Sequence, residues 1–341
     1  MRLAVAALGL FLLAQQIPPV PQLPAQSFDE WLAGVRAEAV QRGISQATID
    51  TALIGVEPLP IVVQRDRTQA ELVMSLDEYL QTHLTKKVLE TSQAMAREHR
   101  AVLEAVQKKY GVPPAVIVAV WGVESNFGKF SGARPTIATL ATLAYDPRRS
   151  TMFREELFDA LKILDKGDIA PDQMQGSWAG ALGQPQFMPS SFLVYAQDFD
   201  GDGKRDIWNS LPDVFASIAN YLAAHGWTRG QMWGREVRVP RTLPDRLATE
   251  APLQSAGCLA ERKMTIPLPL KRWRKLGVKP LTRGSLPSSD LQASLVSGIH
   301  RYFLVYPNYH ALLQYNCVNA YGLTVGLLAD KTAAAARKRA K

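Results

Sequence analysis

The chain has 341 residues, 47% hydrophobic and 21% charged, with a net charge of +8. This is the composition of a soluble globular protein long enough to bury a full core, and it leaves no case for a low-complexity chain. The positive balance favours a polyanionic partner, whether nucleic acid, an anionic membrane or an acidic wall polymer. Met1-Arg2 is followed by an apolar run from Leu3 to Ala14 and a proline-rich stretch to Ala25. That run is too short to span a bilayer and fits a signal peptide over residues 1–25, cleaved near Ala25. No cysteine follows it, so no lipid anchor is expected. The mature protein should be exported, soluble and monomeric, without a stable membrane anchor, which argues against nucleic acid as a partner.

Residues 26–110 read as a helical N-terminal region. Phe28, Trp31, Leu32 and Val35 share one helical face, and the pattern continues to Leu53 before Pro58 and Pro60 break it. Leu72 to Glu104 reads as a second helical stretch and contains Tyr79. A core follows over 111–234. Pro113 and Pro114 suit a first helical turn, and from Pro113 to Val123 every residue is apolar, Gly or Pro. Glu124 is the first charge, and Ser125, Asn126 and Gly128 form a helix stop. Thr136 to Leu143, Met152 to Leu164 and Val214 to His225 are further helices. Gly176 to Ser191 is a run of small residues and glutamines, too poor in charge for a solvated linker.

Residues 235–310 have β character, with strands expected at Val237–Val239, Met264–Leu270 and Phe303–Tyr306. A C-terminal helix falls in 311–330, read from Tyr315 to Ala329, and a flexible basic tail in 331–341. The expected fold class is α+β, mostly helical. Cys258 and Cys317 either pair in an oxidising compartment or stand as separate buried thiols. The histidines show no metal spacing. Lys271-Arg272-Trp273-Arg274-Lys275 could meet anionic wall peptides or be a solvated surface.

Two constellations carry chemistry. Glu124, at the C-terminal end of a buried helix, faces the negative end of the macrodipole. Desolvation and that dipole both raise its pKa, as a general acid near neutral pH requires. The alternative is a glutamate that simply emerges into solvent. The second is Asp198 to Asp206, with acids at loop positions 1, 3, 5 and 9, glycine at 6 and the Lys204 carbonyl at 7, as in an EF-hand calcium loop. Asn209 stands where the closing glutamate would be.

Trp121 to Gly128, together with Gly180 to Ser191, resembles the lytic murein transglycosylases of the B type from about Phe28 to Asp330. The resemblance implies a lysozyme-like catalytic core, peptidoglycan glycan strands as substrate and a periplasmic location. It implies Glu124 as the catalytic acid/base, and Tyr79, Ser177, Gln186, Tyr221, Tyr315, Asn316 and Tyr321 around the glycan cleft. For each tyrosine, core packing is the competing reading. It further implies a structural Ca2+ held by Asp198, Asp200, Asp202, Lys204 and Asp206, with Asp213 closing the site. No second acid accompanies Glu124 before Asp146, and Gly176 to Ser191 contains none. With a lone carboxylate, the resemblance implies cleavage between N-acetylmuramic acid and N-acetylglucosamine with a 1,6-anhydro product. The alternative is hydrolysis with Asp146 as second carboxylate, although Asp146 before Pro147 reads as a turn residue.

Overall fold

The computed structural model describes residues 26–67, 74–281, 285–287 and 289–339. The expected signal peptide lies outside them, as do Leu72 and Val73 and the last two residues of the basic tail. The first amphipathic stretch forms two helices, α1 (Phe28–Gln41) and α2 (Gln46–Ala52). Gly43 breaks it at φ +81°, and Ser45 caps the second helix through the Thr48 amide. α3 (Pro60–Arg67) follows the proline break.

The stretch read as one helix to Glu104 is three: α4 (Leu76–His83), α5 (Lys86–Glu98) and α6 (Arg100–Tyr110). Ser75 and Thr85 cap the first two, and His99 alone separates α5 from α6. Next comes α7 (Pro114–Ser125), buried continuously from Ala115 to Trp121. A short antiparallel pair, β1 (Arg134–Pro135) and β2 (Gln175–Gly176), brackets α8 (Thr136–Tyr145) and α9 (Ser150–Asp165). α10 (Pro189–Tyr195) and α11 (Leu211–Ala224) complete the central part.

The β-containing region holds β3 (Gly234–Arg238), α12 (Leu247–Glu250), β4 (Leu268–Pro269), α13 (Leu270–Lys275), β5 (Lys279–Pro280), β6 (Gln292–Ser297) and β7 (Tyr302–Val305). Its sheet is antiparallel in the order β4-β6-β7-β3-β5. The strand expected from Met264 narrows to single bridges at Met264 and Thr265 and the two residues of β4. The C-terminal helix is two, α14 (Pro307–Tyr315) and α15 (Asn319–Arg339). The second runs on through the alanine-rich segment expected to be a flexible tail, as alanine's helix propensity permits.

Three apolar cores result. One surrounds α7 and draws on α5, α6, α11, α14 and α15. A second joins α1 and α2 to α8, α9 and α10, and a third packs Trp273 of α13 under the sheet. Each fully buried Val, Leu or Phe contributes roughly 1.5–3 kcal/mol, so α7 is fixed from several sides. Cys258 and Cys317 form a disulfide, Cα atoms 6.2 Å apart and 59 residues apart in sequence. It ties the β-containing region to the break between α14 and α15. In the chain-entropy account such a loop stabilises by about 4 kcal/mol.

Candidate active site

Glu124 occupies the last turn of α7. The chain leaves the helix through two residues in the left-handed region, Asn126 (φ 51°) and Phe127 (φ 59°). This folds the Phe127 ring back over Gly122, where a Cβ would lie 2.4 Å from it. The Ser125 hydroxyl donates to the Trp121 carbonyl (2.8 Å) and accepts from the Gly128 amide (3.0 Å), fixing the turn. Glu124 keeps only a small exposed surface. Burial pushes its carboxyl up to about 7, against a smaller opposing effect of the Tyr321 hydroxyl.

Tyr221, Tyr315 and Tyr321 gather where the α7 core meets the second core. Ring centroids of Tyr221 and Tyr315 are 4.7 Å apart, and Tyr315 stacks on Tyr321 at 6.3 Å. Burial, with the Glu124 charge adding to it, raises all three phenols, that of Tyr221 to about 12. Their hydroxyls differ. Tyr221 donates to the Gln314 carbonyl (2.7 Å) and Tyr315 to the Pro185 carbonyl (2.9 Å). Among the described residues the Tyr321 hydroxyl is buried without good hydrogen-bond geometry to any group, Glu124 included.

Ser177 and Gln186 flank the small-residue segment. The Ser177 oxygen accepts from the Ala179 and Ala181 amides (3.2 and 3.1 Å). Gln186 sits at φ 55° with its side-chain amide on the Gly183 carbonyl (2.7 Å). A non-glycine residue held at positive φ marks a segment constrained by its surroundings. Asn316 is exposed in the gap after α14. Tyr79 lies on α4, stacked on His83 at 3.8 Å.

Sequence reasoning missed Gln184. Its side-chain carbonyl accepts from the Trp121 indole (2.6 Å), its amide donates to the Trp208 carbonyl (2.7 Å), and its backbone N–H donates to the Ile207 carbonyl (2.9 Å). It is buried and links the last turns of α7 to the end of the acidic loop. An uncharged polar side chain between Gly183 and Pro185 in a segment poor in charge was the available signal. Two other carboxylates are committed elsewhere. Asp146 is held by Arg148 through the backbone and guanidinium. Glu156, raised by burial, accepts from the Ser190 amide and hydroxyl.

In the acidic loop, carboxylate oxygens of Asp198, Asp200 and Asp202 converge within 4.8 Å. Lys204 enters through its amide, which donates to Asp202 (2.8 Å). Asp206 is turned onto the Trp208 and Asn209 amides (3.0 and 2.9 Å). Asp213 is fully buried, accepts from the Phe199 and Asp206 amides (2.7 and 2.9 Å), and is pushed up to about 6 by burial. Three converging hard-oxygen donors fit a Ca2+ ion. Asp206 and Asp213 brace the loop from outside that trio.

One carboxylate poised to exchange protons near neutral pH, under a rim of tyrosines between two helical cores, defines a lysozyme-like glycan-cleaving enzyme. Residues 27–330 match the transglycosylase SLT domain, and the chain belongs to that family of lytic transglycosylases. The membrane-bound lytic murein transglycosylase B of Escherichia coli is 32% identical over 75% of this chain and 67% of its own. The structure is similar to SltB3 of Pseudomonas aeruginosa in complex with NAG-anhNAM-pentapeptide, at 44% identity and TM-score 0.82, covering 90% of this chain and 80% of that one. It is also similar to the Escherichia coli lytic transglycosylase Slt35 in complex with calcium, at 27% identity and TM-score 0.73, covering 89% and 93%. Among the described residues no helix is long and apolar enough to cross a membrane.

Proposed function

We propose that the enzyme acts in the periplasm on peptidoglycan glycan strands, cleaving the bond from N-acetylmuramic acid to N-acetylglucosamine with Glu124 as sole acid and base. The observation that carries this is the pairing of a carboxyl raised to about 7 with the engagement of Asp146 by Arg148 and of Glu156 by Ser190. Protonated Glu124 donates to the glycosidic oxygen as the C1–O bond breaks. The resulting carboxylate then takes the proton of the muramoyl C6 hydroxyl, whose oxygen bonds to C1. The proton is returned to Glu124, and no water is consumed. A base that must become an acid again works best with its pKa near ambient pH.

Tyr221 and Tyr315 offer ring faces to sugars, since their hydroxyls are spent on backbone carbonyls. Tyr321, Asn316, Ser177 and Gln186 offer hydrogen-bonding groups, and Tyr79 is read as a further aromatic contact for the strand. Mass spectrometry of digested sacculi tests the route. Anhydro ends are expected; products one water heavier, with free reducing ends, would establish hydrolysis instead.

The acidic loop is read as a structural Ca2+ site, with Asp198, Asp200 and Asp202 as its principal ligands. The ion would neutralise three adjacent carboxylates and hold a loop that Gln184 joins to α7. Calcium at a hundredfold excess over Kd should stabilise by about 2.7 kcal/mol. Thermal melting with calcium and with chelator checks this, and superimposable curves would refute the site.

A further inference from the structure

Residues 235–310 carry thirteen Lys and Arg against five Asp and Glu, a surplus of eight that equals the net charge of the whole chain. Four of the five carboxylates are already used: Glu236 by Arg301, Glu250 by Arg246 and Arg272, Glu261 by His310, and Asp290 by Lys271. Arg238, Arg241, Arg274, Lys275 and Lys279 are all exposed, and among the described residues none has an acidic partner.

The fold gathers these five at one sheet edge. β5 is the edge strand, and Arg238 of β3 stands directly opposite Lys279 in the register. Cross-strand neighbours project from the same face, and like charges placed so are destabilising. Arg274 and Lys275 end α13, and the turn from it to β5 packs at Gly277 against Pro240, next to Arg241. A Cβ at Gly277 would lie 2.8 Å from the proline ring. The aromatic residue of this basic stretch, Trp273, is fully buried with its indole on the Ala293 carbonyl. Among the described residues the edge shows no exposed aromatic anchor of the kind a membrane-seeking surface carries.

We propose that this edge is a second contact with the wall, separate from the cleft, which holds the carboxylates of the peptides along a peptidoglycan strand. The proposal rests on the peptidoglycan reading above. Peptides repeat along the polymer and each ends in a carboxylate, so five fixed cations meet a multivalent anion.

The test uses the full chain bearing Glu124→Gln, so that bound sacculi are not digested. Its sedimentation with purified sacculi is compared with that of the same protein carrying Arg274→Glu, Lys275→Glu and Lys279→Glu. At low salt the triple variant should bind about fivefold more weakly or worse, and the difference should fade near 0.5 M salt as screening shortens to a few ångströms. Amidating the sacculus carboxylates should weaken the parent protein to the same degree. Neutral Gln substitutions at the three positions, and an unchanged melting temperature, guard against a folding defect. Equal binding by parent and variant, indifference to amidation, or stronger charge-dependent binding to phosphatidylglycerol vesicles than to sacculi would each overturn the proposal. Failure of the enzymatic reading would show separately, as absence of anhydro fragments from sacculi treated with wild-type protein.

Discussion

Glu124→Gln should abolish turnover and, at pH 8, make the protein more stable than the wild type. On the proposed role of Glu124 as sole acid and base, its loss should cost at least about 10³-fold in kcat, at the level of a full general acid–base contribution. The stability gain follows from the raised pKa of about 7 against 4.5. Below pH 4.5 the carboxyl is protonated in both folded and unfolded chains and contributes no difference. Between pH 4.5 and 7 the unfolded chain ionises while the folded one resists, so stability falls as pH rises and stays reduced above 7. The full shift corresponds to about 3 kcal/mol at most, less what partial exposure removes. Glutamine, nearly isosteric and neutral, should recover part of it as a few degrees of Tm at pH 8 and almost none at pH 4. Wild-type turnover should decline above about pH 7 as the acid form disappears. Unchanged Tm at both pH values would mean that Glu124 is solvated and ionised in the folded enzyme.

Gln184→Leu should be the next most damaging substitution. It strands the Trp121 indole N–H and the Trp208 carbonyl, both paired through this side chain at 2.6 and 2.7 Å. Two orphaned groups at roughly 1–3 kcal/mol each should lower stability by about 2–6 kcal/mol. Below the shifted Tm, kcat should fall more than KM rises, because the side chain orients α7 without touching substrate. Gln184→Glu keeps the acceptor for Trp121 and should rescue part of kcat. Equal loss in both variants would assign Gln184 to packing alone, and retention of kcat in Gln184→Leu would remove it from the positioning role.

Glu124 was legible because the run from Pro113 to Val123, all apolar, Gly or Pro, precedes it and a stop signal follows. The upward push on its carboxyl comes from that same burial. The tyrosines were legible only as aromatic positions. The carbonyl partners of Tyr221 and Tyr315 lie 93 and 130 residues away, and no local pattern encodes them. Loop spacing made Asp206 a candidate ligand but gave no sign that its carboxylate also accepts from the Trp208 and Asn209 amides. The divisions among α4, α5 and α6 were hidden because single capping residues make them without Gly or Pro. The break at Asn316 to Val318 lacks both as well and coincides with the disulfide at Cys317. β6 escaped notice because Ala293 to Val296 are all buried and show no alternation.

The packing of α15 against α7 has a consequence for how the site is assembled. The helix that carries the acid is covered by a helix that follows the β-containing region in the chain, and Tyr321 comes with it. Opening that one contact should rehydrate the Glu124 carboxyl and remove the burial that raises its pKa. Proton chemistry at the site is thus tied to long-range docking, and loosening α15 should weaken the enzyme without touching the acid.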